Sequence, residues 1–285
     1  MKNNAVLLLS SPMPVALKGV IGEVSQFLVA HMGRILHSDD HLDNSRNLFL
    51  SRLVWDLESF DIPVEEFDRH FNPVAERFQI NYHLALTNYR PKVAILVSAQ
   101  DHCLADLLYR HGTGELPCEI EIIISNHATA KRLADFHRIP FQLLTNPADK
   151  RQAEEEMLRL LGQRIDLIIL ARYMQILGPD FVGQYLLRMI NIHHSFLPAF
   201  VGAKPYLQAF DRGVKLIGAT SHYVTAKLDE GPIIEQDVVR VSHRDSVEDM
   251  VRKGRDLEKV VLSRAVRWHL ENRVLVYQNK TVVFD

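Results

Sequence analysis

Two polar side chains one residue apart, Asn191 and His193, close a short apolar run in the stretch Asn191-Ile-His-His-Ser-Phe-Leu-Pro. In an extended strand alternate side chains share a face, so both can project into one crevice. A carboxamide can donate to an oxygen on which negative charge develops, and an imidazole can donate or relay a proton near neutral pH. A carboxylate, Asp229, follows in Leu228-Asp-Glu-Gly-Pro, a loop by its glycine and proline. It can hold the imidazole or activate water. Other readings stay open on these residues alone. Asn-x-His at a strand end is also a common structural pattern, and Glu230 can be a plain loop carboxylate. His193 and His194 with His222 could bind a metal, although neither HExxH nor Cys₂His₂ spacing is present.

The elements that would position this trio come from the apolar pattern. Residues 5–9 predict a strand broken by Pro12 and Pro14. Helical spacing predicts a helix over 16–32 ended by Gly33, then strands at 34–37 and 49–55 around a polar turn at 38–47. Pro63 opens a second helix through Phe78, and 82–86 form a last strand. The order βαββαβ predicts a ferredoxin-like unit over 1–86, with 87–91, Thr-Asn-Tyr-Arg-Pro, as linker.

From 92 to 285 the character changes. Apolar runs at 93–97, 120–124, 167–170 and 190–192 alternate with helical stretches at 102–110, 128–137 and 151–162. That alternation predicts an α/β domain of Rossmann-like type with a mostly parallel sheet. Ligands of such sheets bind beyond the carboxyl ends of strands, where Asn191 and His193 fall. Longer strands follow at 215–225 and 232–241. A helix then begins at Ser246 with a partial capping box to Asp249, and a hairpin spans 274–277 and 281–284.

The bulk numbers exclude several classes. With 285 residues and 47% hydrophobic content the chain can bury a sizeable core. A net charge of −2 and a pI near 6.7 advertise neither nucleic acid nor an anionic membrane. The apolar run at 5–9 is too short for a signal or membrane span. Two cysteines, Cys103 and Cys118, with no CxxC, are expected to be small buried residues in a reducing cytoplasm.

Asn191-Ile-His-His-Ser-Phe-Leu-Pro-Ala-Phe, Gly202-Ala-Lys-Pro-Tyr, Gly218-Ala-Thr-Ser-His-Tyr-Val and Leu228-Asp-Glu-Gly-Pro-Ile-Ile together resemble the formyltetrahydrofolate deformylases. The resemblance covers essentially all of 92–285, and a ferredoxin-like ACT domain precedes it in that family, matching 1–86 by pattern. It implies hydrolysis of 10-formyltetrahydrofolate to tetrahydrofolate and formate for one-carbon and purine metabolism, with no cofactor or metal. It implies Asn191, His193 and Asp229 as catalytic residues and His222 beside them. Met174, Gln175, Ile176 and Leu177 would meet the pterin through backbone, opposite a wall at 225–228 with Thr225, Lys227 and Leu228. It also implies a homo-oligomer formed through the ACT domains.

Related transferases, by the same resemblance, hold a ribonucleotide phosphate with a Gly-rich loop and the amine with a carboxylate aligned with Glu258. Here the loop reads Ser98-Ala-Gln-Asp-His-Cys103, without glycine and with an acid that would repel phosphate, which favours water over an amine as acceptor. As an ordinary helix start it would be capped by Ser98 or Asp101. Glu258 lies in the charge run Arg252–Lys259, which is expected to be mostly a solvated face. The family's Cys-Pro-Asp-x-x-Gly loop, tied to a response to methionine and glycine, is here Ser11–Gly19 and lacks the acid. The turn Asp43–Asn47 lacks the family's glycine. An amine-directed formyltransferase, or a non-catalytic ACT-based sensor, are the alternatives.

Overall fold

A central apolar strand, β1 (Asn4–Pro12), organises the first of two units in the computed structural model, which describes residues 3–145, 150–199 and 205–285. It is followed by α1 (Met13–Ala16), α2 (Val20–Ala30), β2 (Arg34–Asp43), β3 (Leu48–Asp56), α3 (Phe67–Arg77) and β4 (Asn81–Leu86). The strands form one antiparallel sheet in the order β2-β3-β1-β4. Ala5, Leu7 and Leu9 face Val24, Leu28, Phe67 and Phe71 of the helices. The opposite face of β1 presents Leu8, which packs with Leu50 and Phe284.

Three local differences from the predicted elements have physical causes. The helix predicted over 16–32 is divided, because Gly19 takes a left-handed conformation (φ +105°) that only glycine adopts without strain. The predicted turn at 38–47 is mostly strand. β2 is an exposed edge whose polar residues carry no alternation, yet its backbone pairs with β3 from Arg34↔Asp56 to Asp43↔Leu48. β1 runs on to Pro12, which the ladder tolerates at a strand terminus.

The second unit contains β5 (Lys92–Val97), α4 (His102–Gly112), β6 (Glu119–Ser125), α5 (Lys131–His137), β7 (Phe141–Leu143), α6 (Lys150–Leu161), β8 (Leu167–Ala171), α7 (Pro179–Gln184), β9 (Met189–His193), α8 (Pro205–Asp211), β10 (Leu216–Tyr223), β11 (Ile233–Arg240) and α9 (Val247–Leu270). Its sheet order is β11-β10-β9-β8-β5-β6-β7. β9-β8-β5-β6-β7 are parallel, and β10 and β11 join antiparallel. Val93 to Val97 of β5 are wholly buried, as a central parallel strand covered on both faces requires. The pattern missed β7, three residues long, and α7 and α8, each a turn or two opened by a proline. The predicted capping box of α9 forms, with the Asp249 N–H donating to Ser246 Oγ (3.1 Å) and the Ser246 N–H to Asp249 (3.0 Å). Among the described residues no helix is long and apolar enough to cross a membrane.

The C-terminal hairpin, β12 (Val274–Tyr277) and β13 (Lys280–Val283), does not belong wholly to the second unit, as a 92–285 domain would require. Glu271–Tyr277 and Val282–Asp285 cluster with the first unit, which otherwise ends at Tyr89, and Gln278–Thr281 with the second. Phe284, 1% exposed, is core of the first unit, a contact over a sequence separation that no local pattern encodes.

Candidate active site

The strand ends β8 and β9 and the loop after β10 enclose a cleft of about 450 Å³. Asn191, His193, His222 and Asp229 line it, as do Met174 to Leu177 on one side and Thr225, Lys227 and Leu228 on the other. Every residue predicted for the site therefore converges on one cavity. The quoted motif residues Phe200 and Gly202–Lys204 lie outside the described residues. Met174, Ile176 and Leu228 are each 59% exposed and form apolar lips suited to a flat ring.

His193 is the last residue of β9, and its Nδ1 lies 3.2 Å from Asp229 Oδ2. Nδ1–H donates to the carboxylate, so Nε2 is the atom left for substrate. Nε2 is buried with no hydrogen-bond partner among the described residues. An orphaned buried ring nitrogen lining a cleft points to a partner that a ligand supplies. Asn191 pairs across the sheet with His222 of β10, and its amide nitrogen is 3.3 Å from His222 Nε2. His222 Nδ1–H donates to the Tyr223 carbonyl (2.9 Å), which fixes the ring. One N–H of the Asn191 amide can be spent on His222, leaving the other free for the cleft.

Asp229 sits at a tight bend with φ +54°, in a loop closed at its neck by Tyr223 N–H donating to the Pro232 carbonyl (2.9 Å). Gly231 is required there, since a Cβ would fall 1.7 Å from the Tyr223 carbonyl oxygen. Asn279 donates to the Glu230 carbonyl (3.0 Å) and steadies the same loop. Burial pushes the Asp229 carboxyl up. The hydrogen bond from His193 Nδ1–H, foremost among the lowering causes, outweighs burial and holds it well below the usual carboxylate range. It is thus an anion at any working pH. On the other wall, Ser98 Oγ accepts from the Met174 N–H (3.0 Å) and pins the 173–178 loop. Neither Ser98 nor Asp101 caps α4 through its side chain, contrary to the expectation for that helix start.

A second polar cluster, which no sequence spacing marks, lies behind this wall around Glu258. Glu258 of α9 is 1% exposed, not on a solvated face. Its Oε1 accepts from Tyr206 (2.8 Å), and its Oε2 is 2.8 Å from His102 Nε2 and 3.5 Å from Arg172 Nε. Gly254, one turn earlier, leaves the room Tyr206 needs, because a Cβ there would lie 2.0 Å from the phenol oxygen. Burial opposes charge on Glu258, and these partners, His102 foremost, outweigh it and hold its acidity above normal. Burial and the Glu258 charge push the neighbouring Cys103 thiol well up; Cys103 and Cys118 are buried, as expected. His102, Cys103 and Glu258 are the one cluster among the described residues with donors at metal-ligand spacing. The Arg172 guanidinium beside that carboxylate makes it a poor cation site.

Arg172 also donates to Gln100 Oε1 (3.2 and 3.3 Å) and to His194 Nδ1. Arg is a donor only, so His194 Nδ1 must accept and the ring is neutral. Burial and then Arg172 push His194 down to about 4. His194 in turn stacks on His193, with centroids 5.1 Å apart and planes at 27°.

An unfolded histidine titrates near ~6.5, so between there and 4 the unfolded chain binds a proton that the folded chain does not. The stability from neutral His194, with Arg172, His193, Glu258 and Asp229 around it, is complete above ~6.5 and declines as pH falls toward 4. His194→Asn keeps an acceptor for Arg172 and cannot titrate. Denaturant unfolding at neutral pH and near the lower limit should show the variant losing about 1–2 kcal/mol less than wild type. Equal acid losses would contradict the assignment.

The fold and the amide–imidazole–carboxylate cleft define an α/β formyl transferase domain, and residues 91–266 match the Formyl transferase family. The chain is 51% identical to the formyltetrahydrofolate deformylase of Synechocystis over 98% of both chains. A crystal structure of the deformylase from Pseudomonas syringae pv. tomato superposes with a TM-score of 0.96 at 48% identity, covering 100% of this chain and 95% of that one. The chain belongs to the formyltetrahydrofolate deformylase family. A glycinamide ribonucleotide transformylase from Symbiobacterium toebii is more distant, with a TM-score of 0.65 at 29% identity over 69% of this chain and 95% of that one.

Proposed function

We propose that the cleft hydrolyses 10-formyltetrahydrofolate to tetrahydrofolate and formate, and that Asn191, His193 and Asp229 carry the reaction. The observation that carries this reading is the orphaned His193 Nε2, oriented by Asp229 and flanked by a spare Asn191 N–H. The water oxygen bonds to the formyl carbon and gives one proton to His193 Nε2, while Asp229, an anion, holds the ring through Nδ1–H and orients that water. The carbonyl oxygen becomes an oxyanion that accepts from Asn191 and His193. The C–N10 bond then breaks, N10 takes its proton from His193, and formate leaves. The reaction is redox-neutral: one water proton travels through His193 to N10, and the other leaves with the acid product and passes to solvent.

The pterin lies between the 174–177 backbone and the 225–228 wall, with Lys227 near the rim, 78% exposed at its side chain. No cofactor is needed for this chemistry. The first unit, with its βαββαβ order, is an ACT-like domain through which copies associate, and the enzyme works in the cytoplasm. Incubation with 10-formyltetrahydrofolate alone should release formate stoichiometrically with tetrahydrofolate. Added glycinamide ribonucleotide should neither accelerate turnover nor become formylated; stoichiometric formyl-glycinamide product would overturn the reading.

A further inference from the structure

We propose that Arg172 sets the acceptor: its guanidinium walls the catalytic cleft against amines and so keeps water as the group that takes the formyl carbon. The inference rests on the reading of Asn191, His193 and Asp229 as the reacting groups.

Three observations converge on this residue. Arg172 follows β8 with φ +62°, a left-handed conformation that costs a residue with a Cβ on the order of 1 kcal/mol and that glycine adopts freely. Such strain persists where the surroundings fix it, and here Gln100, His194 and Glu258 all hold the guanidinium. Second, Arg172 is 8% exposed and lines the cleft, whereas Glu258 does not line it. The buried carboxylate, which could accept N–H groups of an amine, lies behind Arg172 with both oxygens already bonded. Third, the guanidinium offers only donors. An incoming amine finds no acceptor on that wall, and an ammonium ion is repelled. Water meets neither obstacle, because it is uncharged, donates to Asp229 and carries no substituent that must find room where the guanidinium lies.

Removing the side chain would leave a cavity beside His194 and a carboxylate oxygen facing it. An amine could then enter, its N–H donated toward Glu258. The step balances as in hydrolysis: the amine nitrogen bonds to the formyl carbon and passes one proton to His193 Nε2, the C–N10 bond breaks, and N10 takes that proton, while a remaining N–H of the amine stays hydrogen-bonded to Glu258. The products are an N-formyl amine and tetrahydrofolate.

The measurement is the partition between N-formyl product and formate per tetrahydrofolate formed, with hydroxylamine or glycinamide as the amine and enzyme-free controls subtracted. A ratio is insensitive to a general loss of rate. Wild type should give formate only. Arg172→Gly, which fits the left-handed backbone, and Arg172→Asn, which tolerates it, should raise the amine fraction at least ~10-fold. Arg172→Lys, still cationic, should stay near wild type. An amine fraction in wild type equal to that of the variants, or no rise in either folded variant, overturns the role of Arg172. Should both variants fail to fold, N-formyl product from wild type at saturating amine overturns it and formate alone supports it. Failure of wild type to release formate at all would instead strike the reading on which it rests.

Discussion

Asp229→Asn is expected to lower kcat for formate release by roughly three orders of magnitude, with the KM for the folate little changed. The substitution is unusually clean. Asparagine tolerates the positive φ of +54° at this bend, so the loop need not move, whereas alanine would add backbone strain to lost chemistry. The amide oxygen can still accept from His193 Nδ1, so the ring keeps an approximate orientation. What disappears is the charge that stabilises an imidazolium and the base that orients water. The apolar lips, Met174, Ile176 and Leu228, are untouched, which is why ground-state binding should survive. There is also a stability signature. The folded pKa of Asp229 is depressed, so its contribution is present above the unfolded value near ~3.9 and fades as pH falls through the lower folded value. The variant should lose that acid-side component. A kcat within tenfold of wild type would mean that the carboxylate is not part of the reacting group.

The parts of this site that the chain announces are those written in short range. Asn191 and His193 are two apart on a strand, and strand alternation alone puts both on one face. Asp229 sits in a Gly-Pro loop, and Gly231 has a steric reason visible only in the folded neck. The buried parallel strands are legible for a related reason: a strand covered on both faces must be apolar throughout, as Val93 to Val97 are. The Arg172 cluster was invisible because its members, Gln100, His102, Arg172, His194, Tyr206 and Glu258, come from five places in the sequence and share no spacing. One signal did exist. Met250, Gly254, Glu258, Val261, Leu262 and Ala265 fall on one helical stripe, and all are buried. A carboxylate on the apolar stripe of a helix needs internal partners, whereas the charges around it misleadingly mark a solvated face. The outer part of edge strand β2, residues 38–43, read as a turn for the opposite reason, since its backbone pairing needs no hydrophobic pattern at all.

Asn191→Ala should cost about 100-fold or more in kcat, the loss of one oxyanion donor in a preorganised site being worth ~3–4 kcal/mol. The size of the effect depends on what remains in place. β9 keeps its ladder with β8 and β10, so His193 and Asp229 are still joined at Nδ1 and the proton still reaches N10. Only the second hydrogen bond to the developing oxygen is gone. His222 Nε2 loses its amide neighbour at 3.3 Å, and a small fall in stability, on the order of 1 kcal/mol, should accompany the kinetic effect. The two losses can be separated by Asn191→Asp. That carboxylate, once a proton is bound between it and His222 Nε2, preserves a partner for His222 but places negative charge where the oxyanion forms, so stability should recover while kcat falls further than in the alanine variant. If Asn191→Asp were instead faster than Asn191→Ala in single-turnover formate release, residue 191 would be acting on water rather than on the oxyanion, and the assignment of its amide as a donor would have to be given up.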